Sequence, residues 1–446
     1  MASSLMTVFI LSSFVWAIKP FVNSRQCFVG VFCLSGAVIL GNSAATYVNG
    51  MEYFYTMASF YSCYVIAIFF TLGVYFRMRS GILVFPPLYV LSSLISVALG
   101  MQSLRGTLVL YFILVLYSVI VRLIKKSEIK SMLFSCALFA CNICGILLMK
   151  VIPYKSAPII SDIALRTDYH ELIDELHNTF TELLKITGLS FCANGLKWLP
   201  LFCVSVFFVV VVLGVLIDAF IGLIKYKTIS VIGECVFFLW ISVLAVFVVG
   251  VFLFKVRAIY FFSWHLLVIF SFVYALGRIK TNKKLSTIII SLLLLAGACN
   301  YITNFYPDFS QYRGRDRFYQ KIADDLVSDN IECVFFDYRT SPAIVSFSKD
   351  KIVSGTVSLD FDRSSGSLWS PCSYLKPIDV FKSAKQSTTL YVMSNWSYDY
   401  IQTQVSEEYR NELMSNLELV RTESYKNEKY YFFRISQDLF SGFGDE

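Results

Sequence analysis

Long apolar runs dominate the first two thirds of this sequence and set the strongest limit on its fold. A transmembrane helix needs roughly 20 consecutive, mainly apolar residues. Ten runs of about this length occur, at approximate positions 3–18, 27–46, 55–76, 81–101, 107–121, 131–152, 198–223, 230–254, 258–277 and 285–302. In lipid, backbone polar groups must be bonded within the segment itself, so each run is predicted to be an α-helix. Residues 1–302 are therefore predicted to form a polytopic membrane bundle of about ten spans.

Composition excludes most other classes of protein. Hydrophobic residues make up 57% of the 446 residues and charged residues only 15%, and the mean hydropathy is +0.64. A soluble core of this size does not need so much apolar surface, and disordered or collagen-like chains have far less. Positive charge lies in short clusters between the apolar runs, which indicates contact with membrane lipids and argues against a nucleic-acid partner.

The distribution of basic residues between the loops predicts the orientation of the bundle. If alternate loops face the cytoplasm, one set holds nearly all loop lysines and arginines, whereas the opposite short loops hold only Arg105, Lys255 and Arg257. Basic loops face the cytoplasm in most membrane proteins. The loop at 153–197 and the tail at 303–446 are then extracytoplasmic, which means periplasmic in a Gram-negative bacterium.

The outer loop at 153–197 contains a helical pattern. Apolar residues recur in it at helical spacing, namely Leu172, Leu176, Phe180 and Leu183. This pattern is typical of an amphipathic helix lying on the outer membrane surface. Two histidines and an acid follow another face, at His170, Asp174 and His177. Such a set can surround a cation, but a solvated polar face is the commoner cause, so they are secondary candidates and no metal site is predicted.

The tail alternates helical and extended patterns. Helices are predicted in RDRFYQKIADDLVSDN, near SPAIVSFS and in YDYIQTQVSEEYRNELMSN. Strands are predicted in ECVFFDY, IVSGTVSLDF and TTLYVMSN, followed by a closing hairpin through LELVRTESY and KYYFFRI. This alternation predicts a compact soluble α/β domain over 303–446. Gly-rich phosphate loops and the G-x-S-x-G and H-E-x-x-H motifs do not occur in the tail, so its sequence indicates no catalytic class.

Glu52 is the main catalytic candidate. It is the only acidic residue of the first outward loop, YVNGMEYF, where it stands among aromatic residues that favour the membrane interface. A partly desolvated carboxylate at such a surface can serve as a general base, while a solvated loop acid is the alternative. Arg105, Lys255 and Arg257 are candidates for binding a lipid phosphate, with ordinary headgroup contact as their alternative.

A few polar residues lie within the apolar runs, where a charge costs about 2.5–3.5 kcal/mol on insertion scales. Asp218 and Glu234 stand near the cytoplasmic ends of neighbouring spans, and an interfacial charge cluster with Lys225 and Lys227 is the simplest interpretation. His265 stands near the outer end of its span. It is a secondary candidate that either lines a cavity or bonds a neighbouring helix.

The outward face and two stretches, LSSLISVALGMQSLRGTLVLYFILVLYSVIVRL and ECVFFDYRTSPAIVSFSKDKIVSGTV, resemble bacterial membrane glycosyltransferases of the GT-C class, including the serotype-converting O-antigen glucosyltransferases. The resemblance covers most of the chain and is one of architecture more than of motif. It implies an inner-membrane protein with a periplasmic tail and a polyprenyl-phosphate donor of glucose or another hexose. It also implies a lipid-linked O-antigen of lipopolysaccharide, or another surface polysaccharide, as acceptor. By this resemblance Glu52 would be the catalytic carboxylate, and no cofactor is expected.

Other functions stay open. An O-antigen polymerase or ligase works on the same lipid-linked sugars but is expected to concentrate arginines in large outer loops, and the large loop here carries only Arg166. A transporter would show inverted repeats or an acid near the bilayer midplane, which this sequence lacks. A non-enzymatic membrane scaffold or sensor would use the tail as a periplasmic binding domain.

Overall fold

The structure is a computed structural model that describes residues 2–37, 62–102, 104–125, 129–151, 166–190, 199–225, 229–253, 256, 258–279, 282–300, 302, 315–336, 347–348, 351–359, 369–371, 389–425 and 428–435. These residues fall into two compact units, one up to residue 302 and the other from residue 315 onward. The first is called the membrane unit below, and the second the C-terminal unit.

The described residues of the membrane unit are mainly helical. The helices are α1 Ala2–Ile18, α2 Ser24–Phe32, α3 Cys63–Arg79, α4 Pro86–Gln102, α5, α6 Ile129–Val151, α7 Tyr169–Thr187, α8 Leu199–Ile224, α9 Val231–Phe252, α10 Ser263–Arg278 and α11 Lys283–Asn300. Helix α5 is continuous and consists of Leu104–Gly106, a π-helical stretch Thr107–Tyr111, and Phe112–Lys125. A further π-helical stretch, Cys33–Ala37, follows α2, and a 3-10 helix, Ala258–Phe261, precedes α10.

Five helical segments are long and apolar enough to cross a membrane. Within the described ranges these are Thr107–Ile124, Ile129–Leu148, Leu199–Ile224, Val231–Phe252 and Lys283–Asn300. Three shorter apolar helices also occur, at Met6–Phe21, Pro86–Gln102 and Ser263–Arg278. A helix covers at least part of each of the ten predicted spans. The structure therefore supports a multi-pass membrane protein, whereas the count of ten spans stays a prediction.

Polar residues at the helix starts explain where two of these helices begin. Asn23 and Gln26 form a capping box at α2, in which each side chain accepts a hydrogen bond from the backbone N–H of the other. Ser230 accepts a hydrogen bond from the backbone N–H of Gly233 at the start of α9. These contacts satisfy backbone donors that have no partner inside the helix.

A buried ion pair joins three helices of the membrane unit. Arg79, in the last turn of α3, is bound to Glu234, in the first turn of α9, and its Nη2 lies 3.0 Å from Glu234 Oε1. Tyr117 of α5 donates its hydroxyl to Glu234 Oε2 over 2.5 Å. The Arg79 and Glu234 side chains are only 15% and 6% exposed. The carboxylate is thus held by two donors from two other helices, and the pair ties α3, α5 and α9 together.

A second, more exposed ion pair joins α8 to α10. Arg278 donates from Nε and Nη2 to Asp218 over 2.8 and 2.9 Å, and Tyr274 donates its hydroxyl to the same carboxylate over 2.6 Å. The Arg278 and Asp218 side chains are 64% and 41% exposed. The arginines that bind Asp218 and Glu234 come from helices remote in sequence, and Lys227 of the predicted charge cluster lies outside the described residues.

The C-terminal unit is a six-stranded sheet covered by helices. Its elements are α12 Arg315–Ser328, β1 Cys333–Phe336, β2 Val353–Leu359, β3 Trp369–Pro371, β4 Thr389–Ser394, α13 Asn395–Gln404, α14 Glu407–Ser415, β5 Leu417–Tyr425 and β6 Glu428–Ile435. The strand order is β3-β2-β1-β4-β6-β5. Strand β1 runs parallel to β2 and β4, and the remaining neighbours pair antiparallel.

Alternate residues of the strands supply two separate cores. Val334 of β1 packs in one cluster with Leu326 of α12, while Phe335 packs in the other with Ile401 of α13 and Leu413 of α14. Successive side chains of a strand point to opposite faces of the sheet, so each face carries its own core. The unit therefore has three layers, with α12 on one face and α13 and α14 on the other.

The structure confirms a mostly helical chain with a small sheet near its C-terminus, and it changes two details of the predicted tail. The single helix expected in YDYIQTQVSEEYRNELMSN is two helices, because the chain is extended at Val405 and Ser406 then caps α14 by accepting from the Tyr409 N–H. The short strand β3 was not predicted. The helix expected near SPAIVSFS lies almost wholly outside the described residues.

We predict that removing one partner of the Arg79–Glu234 pair strongly destabilises the protein. In Glu234→Ala the Arg79 charge stays buried without its carboxylate, at a cost of about 3–5 kcal/mol. Thermal unfolding of the full-length protein in detergent should show a lower midpoint. Arg278→Ala is the control, because exposed pairs contribute only about 0–1 kcal/mol. Equal losses in the two variants would contradict the structural role assigned to the buried pair.

Candidate functional site

The main candidates from the sequence are only partly covered by the structure. Glu52, Lys255 and Arg257 lie outside the described residues. Arg105 lies in the first turn of α5, and only its backbone is described. The structure therefore describes only the helix ends that flank these residues.

Tyr64 contacts the helix ends next to the segments that carry the candidate residues. These segments hold Glu52, Arg105, and the pair Lys255 and Arg257. Tyr64 lies in the first turn of α3, after the segment that carries Glu52. A Cβ added at Gly106, the residue after Arg105, would lie 3.2 Å from Tyr64 Cε1. On another side, the Tyr64 ring centroid is 6.4 Å from that of Phe262, just before α10. The starts of α3, α5 and α10 therefore meet at one end of the membrane unit, which is called the Tyr64 end below.

Two further contacts belong to the Tyr64 end. The Cys63 thiol donates to Gln102 Oε1 over 3.4 Å, which joins the start of α3 to the end of α4. His265 lies in the first turn of α10, where its backbone N–H donates to the Phe262 carbonyl over 3.1 Å. The His265 side chain is only 3% exposed. Of the sequence-predicted candidates, His265 is the one whose side chain the structure describes at this end, and it is packed inside the bundle.

The predicted amphipathic helix of the outer loop is present as α7. Asp168 caps its start by accepting from the Glu171 N–H over 3.0 Å. Gly188 ends it in a left-handed conformation, with φ of 78°, which glycine adopts without steric cost. The helix packs against α9 and against the 3-10 helix Ala258–Phe261. It is therefore close in space to the segment that follows Lys255 and Arg257.

The buried and exposed sides of α7 differ in character. Its most buried side chains include Glu175 and Thr179, which are 5% and 1% exposed. Four apolar or aromatic residues instead form an exposed stripe, with Tyr169 71%, Ile173 45%, Leu176 46% and Phe180 50% exposed. Of the predicted apolar face, Leu176 and Phe180 lie on this exposed stripe, whereas Leu172 and Leu183 are half-buried. Polar residues face the bundle here, and an apolar flank faces outward.

Arg166 holds the polar face of α7 against the bundle. Its Nη1 donates to the Gly250 and Val251 carbonyls at the end of α9, over 2.8 and 3.1 Å. Its Nε donates to Glu171 over 3.0 Å, and its Nη2 lies 3.8 Å from buried Glu175. The Arg166 side chain is only 9% exposed. A cation at a helix C-terminus satisfies carbonyls that have no partner in the helix, so this clamp holds α7 by its polar face.

The secondary candidates of α7 lie on its exposed polar flank. The three side chains are exposed and follow one face, at His170, Asp174 and His177. Across the described residues, His, Cys, Asp and Glu side chains nowhere gather in a group of three that could hold a metal ion. With a buried polar face, an exposed apolar flank and an exposed polar flank, α7 has the distribution expected of a helix at a lipid–water boundary.

Comparison with family models, with curated proteins and with solved structures finds no match to this chain.

We predict that Arg166→Ala releases α7 from α9. The substitution removes hydrogen bonds to carbonyls and carboxylates, and hydrogen bonds of charged groups contribute about 1.5–3 kcal/mol each. Amide hydrogen exchange across Tyr169–Thr187 should accelerate about tenfold or more, because 1.4 kcal/mol corresponds to a factor of ten. Lys185→Ala is the control, since it removes only a pair with Glu182 inside the same helix. Unchanged exchange in Arg166→Ala would argue against the clamp.

We also predict that the two flanks of α7 contact different solvents. A spin-labelled amino acid at Ile173 should collide mainly with molecular oxygen, which concentrates in lipid, and the same label at His177 mainly with a water-soluble nickel chelate. The measurement is power-saturation electron paramagnetic resonance of the protein in liposomes. Equal accessibility of the two positions to the nickel chelate would exclude an interfacial position for this helix.

Proposed function

We propose that this protein is a multi-pass glycosyltransferase of a bacterial inner membrane. It moves a sugar, glucose or another hexose, from a polyprenyl-phosphate donor to a lipid-linked O-antigen or another surface polysaccharide. In this proposal the chain has the ten predicted spans, and the connecting segments of the Tyr64 end and the C-terminal unit lie on the periplasmic side. The resemblance to GT-C enzymes and the asymmetry of the loop charges support this assignment.

The observation that carries the proposal is the meeting of helix ends at Tyr64. One such end follows the segment that holds Glu52, and another contains Arg105. The third, at Phe262, follows the segment that holds Lys255 and Arg257. Three segments that are far apart in sequence, and that carry one acid and three cations, thereby connect to neighbouring helix ends. Connecting segments on a rigid scaffold are where binding and catalytic residues concentrate.

The chemistry follows from these charges. The Glu52 carboxylate takes the proton of an acceptor sugar hydroxyl while that oxygen attacks the anomeric carbon of the donor. The bond between the anomeric carbon and the phosphate oxygen breaks, and the oxygen leaves with the electron pair. Arg105, Lys255 and Arg257 stabilise the negative charge that develops on the departing lipid phosphate. The isoprenoid chain of the donor stays in lipid beside the apolar exterior of the bundle.

Two alternatives give different products. A polymerase or ligase would change the length or the attachment of the polysaccharide, and a scaffold or sensor would leave its composition unchanged. Mass spectrometry of the surface polysaccharide repeats, with and without this protein, distinguishes them. A difference of one hexose per repeat supports transfer.

We predict that Glu52→Gln abolishes this transfer while the protein still accumulates in the membrane. General-base catalysis contributes about 10²–10⁴-fold, so activity should fall by at least about 10²-fold. Transfer is measured as the hexose-modified fraction of repeats in a deletion strain carrying the variant. Glu407→Gln is the matched control, because the Glu407 side chain is 80% exposed on α14, outside the membrane unit. Normal modification by Glu52→Gln would remove Glu52 as the base.

A further inference from the structure

Three parts of the membrane unit meet at the last turn of α9. Helix α9 ends at Phe252, and the chain that follows carries Lys255 and Arg257. The outer loop reaches the same turn through Arg166, and α7 packs against α9. Contacts at this turn therefore bear on both the outer helix and two of the candidate cations.

Gly250 leaves a notch in this turn, and two neighbouring side chains lie against it. A Cβ added at Gly250 would lie 2.7 Å from Val256 Cγ2 and 2.9 Å from both Cγ2 and Oγ1 of Thr179. The Cβ atoms of real proteins essentially never have contacts this short, so any larger residue would displace a neighbour. Thr179 comes from the middle of α7, and Val256 comes from the segment after α9.

Val256 is the buried residue between two candidate cations. Its side chain is 8% exposed and belongs to the apolar core of the membrane unit. It lies against Gly250, which precedes it in the last turn of α9, so the chain turns back on itself after this helix. The Cα atoms of its chain neighbours, Lys255 and Arg257, are each only about 3.8 Å from its own. The burial of Val256 therefore fixes the backbone within one residue of either cation.

Arg166 satisfies the last carbonyls of the same turn. Its Nη1 donates to the Gly250 and Val251 carbonyls over 2.8 and 3.1 Å, and its backbone N–H donates to the Phe252 carbonyl over 2.9 Å. Carbonyls at a helix C-terminus have no partner within the helix. With these groups bonded, the last turn of α9 is a fixed surface against which Val256 and Thr179 pack.

We propose that Gly250 and Val256 are positioning residues for the lipid-phosphate site. Val256, seated at Gly250, holds the segment that carries Lys255 and Arg257 against the end of α9, so that both cations stay beside the departing phosphate. This inference rests on the proposed function, because that function gives the cations their task. Glycine and valine carry no charge and no polar side-chain atom, so both residues act through the cations that flank Val256.

The test damages this contact in two opposite ways. Val256→Ala removes the side chain that lies in the notch, and Gly250→Ala fills the notch and displaces Val256. Both variants should speed amide hydrogen exchange across residues 253–262 of the full-length protein in detergent. Both should also weaken the binding of undecaprenyl phosphate, measured by native mass spectrometry, by about tenfold or more, as expected from the loss of one charged hydrogen bond. The double variant should lose less than the sum of the two, because both changes act on one contact.

Val236→Ala is the matched control, since Val236 is a 0% exposed valine near the other end of α9. It should lower the unfolding temperature as Val256→Ala does, without changing exchange across 253–262 or the binding of undecaprenyl phosphate. Unchanged exchange in Val256→Ala would overturn the proposed anchor, and faster exchange with unchanged binding would overturn its positioning role. If the unaltered protein did not bind undecaprenyl phosphate, the proposed function and the positioning role would both be wrong, while the exchange measurement would still decide whether Val256 anchors the segment.

Discussion

A charge inside an apolar bundle must find a partner on another helix, and this requirement holds the membrane unit together. Helices surrounded by lipid gain nothing from burying apolar surface against one another, so polar contacts and close packing decide how they associate. Arg79 and Glu234 satisfy each other between α3 and α9. Arg77 donates to the Gly73 carbonyl of its own helix and to the Trp16 carbonyl of α1, and its guanidinium lies 3.9 Å from the Trp16 ring centroid. Each arginine thus joins α3 to a different neighbour.

The same requirement decides which cations are available for chemistry. Arg166 is the arginine of the large outer loop, and it is engaged with two α9 carbonyls and two glutamates of α7. A guanidinium held in this way is poorly placed to bind a phosphate as well. The proposed lipid-phosphate site therefore depends on Arg105, Lys255 and Arg257. A polymerase is expected to concentrate arginines in such a loop. This loop has one arginine, and because that arginine has a structural role, a polymerase is disfavoured more strongly than by the low arginine content alone.

The sequence predicts much of the fold, because the relevant signals are local. Apolar runs of sufficient length indicated the helices of the membrane unit, and alternating patterns with a final hairpin indicated the sheet, where β5 and β6 pair as expected. The partners of buried charges could not be predicted. Arg79 and Glu234 are 155 positions apart, and only the packing of α3 against α9 shows that they meet. The contacts of α7 could not be predicted for the same reason, since Arg166 joins glutamates of α7 to carbonyls of α9.

The candidate site also depends on contacts that the sequence could not predict. Sequence reasoning selected residues by their charge in outward connections, and it gave no reason to select Tyr64 or Gly106, which carry no charge. These two residues nevertheless bring the helix ends together, because a glycine at 106 lets α5 pass close to the Tyr64 ring and to Leu99 of α4. A larger residue there would press on both neighbours and shift the start of α5, which carries Arg105. The position of the helix start that carries a candidate residue thus depends on apolar and small residues beside it, whose importance appears only in three dimensions.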